Sequence, residues 1–140
     1  MQEELIHQIQ LLVDFGLVVL IWMVQLIVYP GFLHYSKHEL HKWHQFYTIR
    51  IAVIVIPLML AQLTIGVWGA FRSISVESIT YLSLVLFLWI HTFLVFAPRH
   101  QKIANNTFDE QLLSELVAKN WIRTFVWTLI CTLHIFFMCF

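Results

Sequence analysis

Apolar residues gather into four long runs along this chain, separated by short polar stretches. Residues 11–30 are apolar over roughly 20 positions, the length at which an α-helix rising about 1.5 Å per residue crosses ~30 Å of hydrocarbon. Tyr29-Pro30-Gly31 predicts a stop there, because Pro and Gly together favour a turn. A second run covers 49–68, with Pro57 near its middle; the missing N–H of Pro57 predicts a bend. The third run, 80–96, is expected to end at Pro98, and the fourth covers 121–140. Before the fourth, Asn105-Asn106-Thr107-Phe108-Asp109 reads as a cap for 110–119, where Leu112, Leu113, Leu116 and Val117 recur at helical spacing. That segment predicts a short amphipathic helix lying at the membrane interface. The pattern as a whole predicts an all-α, integral membrane four-helix bundle, a single domain over 1–140.

Composition supports the lipid solvent. The 140 residues are 60% hydrophobic, 16% aromatic and 11% charged, with mean hydropathy +0.79, whereas soluble domains carry about a quarter charged residues. Lys and Arg balance Asp and Glu at 8 each, so the electrostatic footprint of a nucleic-acid binder is missing. The lipid bilayer is the expected partner, along with other membrane proteins or further copies of the chain. Residues 1–10 contain Glu3 and Glu4 and no Lys or Arg, which is the wrong start for a cleaved signal, so the first apolar run is expected to be retained. Lys37, Lys42, Arg50, Arg99, Lys102, Lys119 and Arg123 belong to the first and third connections, and only Arg72 stands on the other side. The positive-inside rule then makes those connections cytoplasmic, with both termini outside, and an inner (cytoplasmic) bacterial membrane is the expected location. Cys131 and Cys139 lie too far apart along one helix to bond each other, and buried thiols are expected at both.

Sorted by depth, polar side chains concentrate toward the cytoplasmic side. Gln25, Tyr29, His44, Tyr47, His91, His100, Asn120, Arg123 and Thr124 come from all four helices. Hydrocarbon offers them no hydrogen bonds, so mutual burial is expected to spare desolvation costs of several kcal/mol. Such a cluster can bind a ligand or act only as packing glue. Tyr29, Trp43, Trp121 and Trp127 equally suit an interfacial aromatic belt. A thinner outer set, Asp14, Gln62 and His134, stands at similar depth on three helices, and mostly aliphatic residues between the two sets argue against a continuous channel.

His34, His38, His41 and His44 raise the question of a metal. In one helix the first three would share a face, and imidazole suits zinc, copper and iron, yet no carboxylate or cysteine motif accompanies them. A solvated histidine face is the preferred expectation. Haem held by His44 and His91 across helices is the cofactor alternative. Gly-rich phosphate loops, Gly-x-Ser-x-Gly and Cys-x-x-Cys are all missing, which removes the familiar soluble enzyme classes.

Trp22-x-x-Gln25, Tyr29-Pro30-x-Phe32, His44-x-x-Tyr47, Pro57-Leu58-Met59, Pro98-x-His100-x-x-Ile103 and Asn120-Trp121-Ile122-Arg123-Thr124-x-x-Trp127 together span nearly the whole chain. This pattern resembles a group of small bacterial four-helix membrane proteins, and is more loosely similar to the anthrone-oxygenase-like four-helix membrane proteins. The first resemblance implies a bundle; the second permits oxygenase chemistry. In the bacterial group the position of Gln62 often looks like glutamate, so the amide here departs from that pattern. The expected function is a membrane protein whose cytoplasmic-side cluster binds a small ligand, a lipid headgroup or a partner subunit. The alternatives are a membrane oxidoreductase or oxygenase working through His44, His91 or His100, and a structural subunit of a larger membrane complex.

Overall fold

The computed structural model describes Gln2 to Cys139, with side chains from Glu3 to Met138. Over those residues the chain forms helices and no strands. Four of them are long and apolar enough to cross a membrane: α1 (Glu3–Phe32), α2 (Lys37–Arg72), α3 (Val76–Ala104) and α4 (Glu110–Met138). They pack in a ring in chain order, α1 against α2 and α4, and α3 against α2 and α4. Because the connections are short, neighbours run antiparallel. The α1–α2 and α3–α4 connections share one end of the bundle, here called the basic end; the α2–α3 turn and both termini share the other.

The helices are longer than the apolar runs, and each difference has a local cause. Ser36 caps α2: its hydroxyl accepts from Glu39 N–H, and the Glu39 carboxylate accepts from Ser36 N–H. This reciprocal bonding starts the helix at Lys37, well before its apolar part, and α2 then continues through Pro57. Pro30 and Pro98 were expected to terminate their helices but do not. Each follows a single π-helical segment, Val24–Val28 in α1 and Thr92–Phe96 in α3. A proline ring collides with the carbonyl of the preceding turn, and one widened turn relieves the collision without ending the helix. The helices therefore run on to Phe32 and Ala104.

The segment 110–119 is likewise not a separate helix. It forms the first turns of one continuous helix, Glu110–Cys139, capped where Asp109 accepts from Leu112 N–H. Its apolar face explains the continuity: Leu112, Leu113 and Leu116 are buried with Phe32, Leu40 and Ile103 at the basic end. Further along, Leu17, Ile21, Val85, Leu88, Trp127 and Ile130 fill the axis of the bundle. Outward positions such as Leu12, Val53, Leu94 and Phe125 are exposed, as surfaces facing acyl chains are. Cys131 is buried and free; the Cys139 side chain lies outside the described residues.

Candidate functional site

The buried polar residues are Asp14, Gln25, His44, Gln62, Asn120, Arg123, Thr124 and His134, and every one of them was legible as an intramembrane polar position. The structure sorts them into three inner groups and one outer group.

The first joins α1 to α4. Asn120 donates its amide N–H to Gln25 Oε1 at 3.0 Å, and the Thr124 hydroxyl points to the same oxygen at 3.4 Å. Gln25 Nε2 donates to the Val117 carbonyl at 3.2 Å. That carbonyl belongs to a continuous helix, so the glutamine ties two helices by side chain and backbone together. Asn120 Oδ1 is buried and left without a partner.

A second group is a string of rings at the basic end. The Tyr29 hydroxyl lies 3.0 Å from His100 Nε2, His100 Nδ1 lies 2.8 Å from His44 Nε2, and His44 Nδ1 lies 3.3 Å from Thr48 Oγ1. Thr48 donates its one proton to the His44 carbonyl, so its oxygen accepts from His44 Nδ1–H. The order of donors follows: Tyr29 O–H to His100 Nε2, then His100 Nδ1–H to His44 Nε2. Both imidazoles are neutral in this arrangement, and all four ring nitrogens are in use. A metal or haem iron at either ring must displace one of these bonds. Phe32 and Tyr47 close the string from the side, with ring centroids 5.4 Å apart.

Arg123 lies beside the string and forms the third group. Its guanidinium stacks over Phe96 at 4.3 Å and Trp127 at 5.1 Å, and is in electrostatic contact with the Tyr29 and Tyr47 hydroxyls. The residue is 7% exposed and its Nε is buried without a partner. At this end Arg99 holds Glu115 at 2.8 Å, and at the opposite end Arg72 holds Glu3 at 2.8 Å. Among the described residues no carboxylate pairs with Arg123.

His91 is the member that the structure does not bring into a hydrogen-bonded group. Its ring packs on Phe87 and Phe96, and its Nδ1 is unpartnered, while Arg123, Lys119 and Arg99 all act on it electrostatically. His44 pairs with His100 and not with His91, its partner in the haem alternative. The histidine run is also divided. His34 sits in the turn before α2, so the shared face of His34, His38 and His41 does not form; His34 and His38 are exposed. His41 Nδ1 instead meets the Ile103 carbonyl at 3.1 Å. Among the described residues no group of three His, Cys, Asp or Glu is arranged to hold a metal.

The outer set does assemble, with members the sequence did not single out there. Asp14 Oδ1 accepts from Gln62 Nε2 at 2.7 Å and from the Tyr81 hydroxyl at 3.0 Å, while Asp14 Oδ2 faces His134 Nδ1 at 3.2 Å. Trp127 donates to Gln62 Oε1 at 3.1 Å. Trp127 therefore touches both sets, its N–H the outer one and its ring face the inner one. The only sequence signal for Tyr81 was a polar tip at the start of a span, which an interfacial tyrosine shares.

Comparison of the chain with protein families, characterised proteins and solved structures finds no match. What the site does has to be argued from its own chemistry.

Proposed function

We propose that the chain is an integral membrane protein, with both termini outside, whose cytoplasmic-side polar cluster binds an anionic group at Arg123. The group belongs to a small ligand, a lipid headgroup or a partner subunit. One observation carries the reading: a buried guanidinium, stacked on two aromatic rings, for which the described residues provide no carboxylate partner. A buried charge without a counter-ion costs several kcal/mol, and the aromatic faces offset only part of that. Asn120, one turn before Arg123, leaves an acceptor open on the same helix face. A ligand with both a negative oxygen and a hydroxyl satisfies the two together.

Seven of the eight basic residues stand at this end, which supports placing it at the cytoplasmic leaflet, where anionic lipids are enriched. The start of α4, with Lys119 in it, then lies at the membrane surface. Catalysis by the histidines is less well supported, because each ring nitrogen of His44 and His100 is already bonded within the protein.

Thermal unfolding in nanodiscs tests the reading. Adding phosphatidylglycerol to a phosphatidylcholine disc, or inorganic phosphate to the buffer, should raise the melting temperature of the unsubstituted chain. The lipid arm and the phosphate arm separate a headgroup from a free anion. In Arg123→Gln the rise should be lost whatever the baseline. An equal rise in both proteins, or none with either anion, overturns the proposal.

A further inference from the structure

Asp14, Gln62, Tyr81 and His134 play no part in the reading above, and the donor order at Gln62 is fixed by geometry. The Trp127 indole can only donate, so Gln62 must turn its oxygen to Trp127 and its NH2 to Asp14. Tyr81 O–H gives Asp14 Oδ1 a second donor, and Oδ2 faces His134 Nδ1. A carboxylate at Asp14 takes a third donor when His134 is the Nδ1–H tautomer. Asp14 is fully buried, so such a charge has no solvent of its own.

As the Nδ1–H tautomer, His134 donates to Asp14 and keeps its lone pair on Nε2. That nitrogen is buried and has no partner within the protein, on a residue only 3% exposed. One proton on Nε2 turns the ring into imidazolium and makes the pair neutral overall. Space for its donor exists: a cavity of about 20 Å³ lies against His134, Gln10, Glu77 and Tyr81, enough for one water. A cavity of about 390 Å³ shares Gln10, Glu77 and Tyr81 in its wall and extends to His7, Gly69 and the exposed Glu3–Arg72 pair.

We propose that Asp14 and His134 form a proton-binding site, loaded with hydrons from water on the terminal side of the membrane through these cavities. The N–H bond forms at His134 Nε2 as an O–H bond of hydronium in the small cavity breaks and leaves water there, and no bond within the protein breaks. The groups facing the pair are Glu3 and His7 on α1, Arg72 on α2, Glu77 and Tyr81 on α3, and Cys131 on α4. Glu3 and Arg72 neutralise each other at the rim. His7 packs on the His134 ring at 5.8 Å, and Glu77 lines both cavities, so both stand on the route. Inward the route stops at Trp127, whose N–H is spent on Gln62 and whose ring covers Arg123. The site is thus filled and emptied from one side.

Nitrogen-15 NMR of histidine-labelled protein in nanodiscs tests this, with the His134 ring assigned sequentially in the unsubstituted chain and checked by His134→Gln. The alkaline form should be the Nδ1–H tautomer, and lowering the pH should add a proton at Nε2. Asp14→Asn, where it folds, should lose the doubly protonated ring under the same conditions. An Nε2–H tautomer at alkaline pH, or a ring that stays in one form throughout, overturns the assignment. Gly69 lines the larger cavity and a Cβ there meets nothing within 4 Å, so Gly69→Leu places a side chain on the route. It should slow solvent exchange of the Nε2 proton several-fold without changing the alkaline tautomer; unchanged exchange overturns the cavity route.

Discussion

Arg123 and Asp14 are opposite answers to the same problem, a charge buried among hydrocarbon. Asp14 is surrounded by three donors from α2, α3 and α4, while Arg123 meets aromatic faces and hydroxyls and keeps an unsatisfied Nε. The first is a completed site and the second an open one. Gln62 shows how narrowly the outer arrangement is set, since it must accept from Trp127 and donate to Asp14 at once. Gln62→Glu keeps the acceptor but places a second carboxylate about where the 2.7 Å amide donor was. Two carboxylates so close repel each other unless one holds a proton. Stability of Gln62→Glu relative to the parent is then greatest at low pH and falls as pH rises. Melting temperatures across pH should show the gap widening toward alkaline conditions; a gap independent of pH would contradict the donor order assigned to Asp14.

The helices are adjusted to these residues at particular places. The π segments before Pro30 and Pro98 carry α1 and α3 past their prolines, which brings Tyr29 and His100 to the basic end within 3.0 Å of each other. Across the α2–α3 contact, Gly66 lets Tyr81 approach: a Cβ there would meet ring carbons at 3.2 Å. Tyr81 cannot retreat without leaving Asp14. Gly66→Ala should therefore destabilise, because loosening a buried hydrogen bond costs about 1–3 kcal/mol against a gain of ~1 kcal/mol in helix propensity. Gly69→Ala, on the same helix with open space beside it, should stabilise by about 0.5–1 kcal/mol. Thermal unfolding of the pair should give shifts of opposite sign, and equal shifts would mean that Tyr81 yields freely.

At the scale of the molecule, the bundle turns its polar atoms inward and leaves Leu12, Val53, Leu94 and Phe125 on its flanks, the inverse of a soluble protein. Its two ends differ in charge, and the proposed orientation follows from that difference. Membrane-impermeant thiol reagents applied to intact cells should label Ser75→Cys, in the α2–α3 turn, and leave Lys102→Cys unlabelled until the cytoplasmic face is opened, with reactivity of the unsubstituted chain subtracted. The reverse pattern would invert the bundle, moving the Arg123 site to the outer face.

By itself the sequence determined the solvent, the number of spans and the identity of nearly every buried polar residue. Length, hydropathy and the cost of polar atoms in lipid act on residue type and spacing, and both are written in the chain. Asp14, Gln25, Gln62, Asn120, Arg123, Thr124 and His134 were legible in this way. Which of them meet was not legible, because a partner on another helix depends on rotation about the helix axis, and that is set by packing. A widened turn lies in α1 and another in α3, His44 meets His100, and His91 stays outside the hydrogen-bonded groups. Tertiary structure alone decided that Tyr81 completes the shell of Asp14, that Trp127 stands between the two sets, and that Arg123 has no acid paired with it among the described residues.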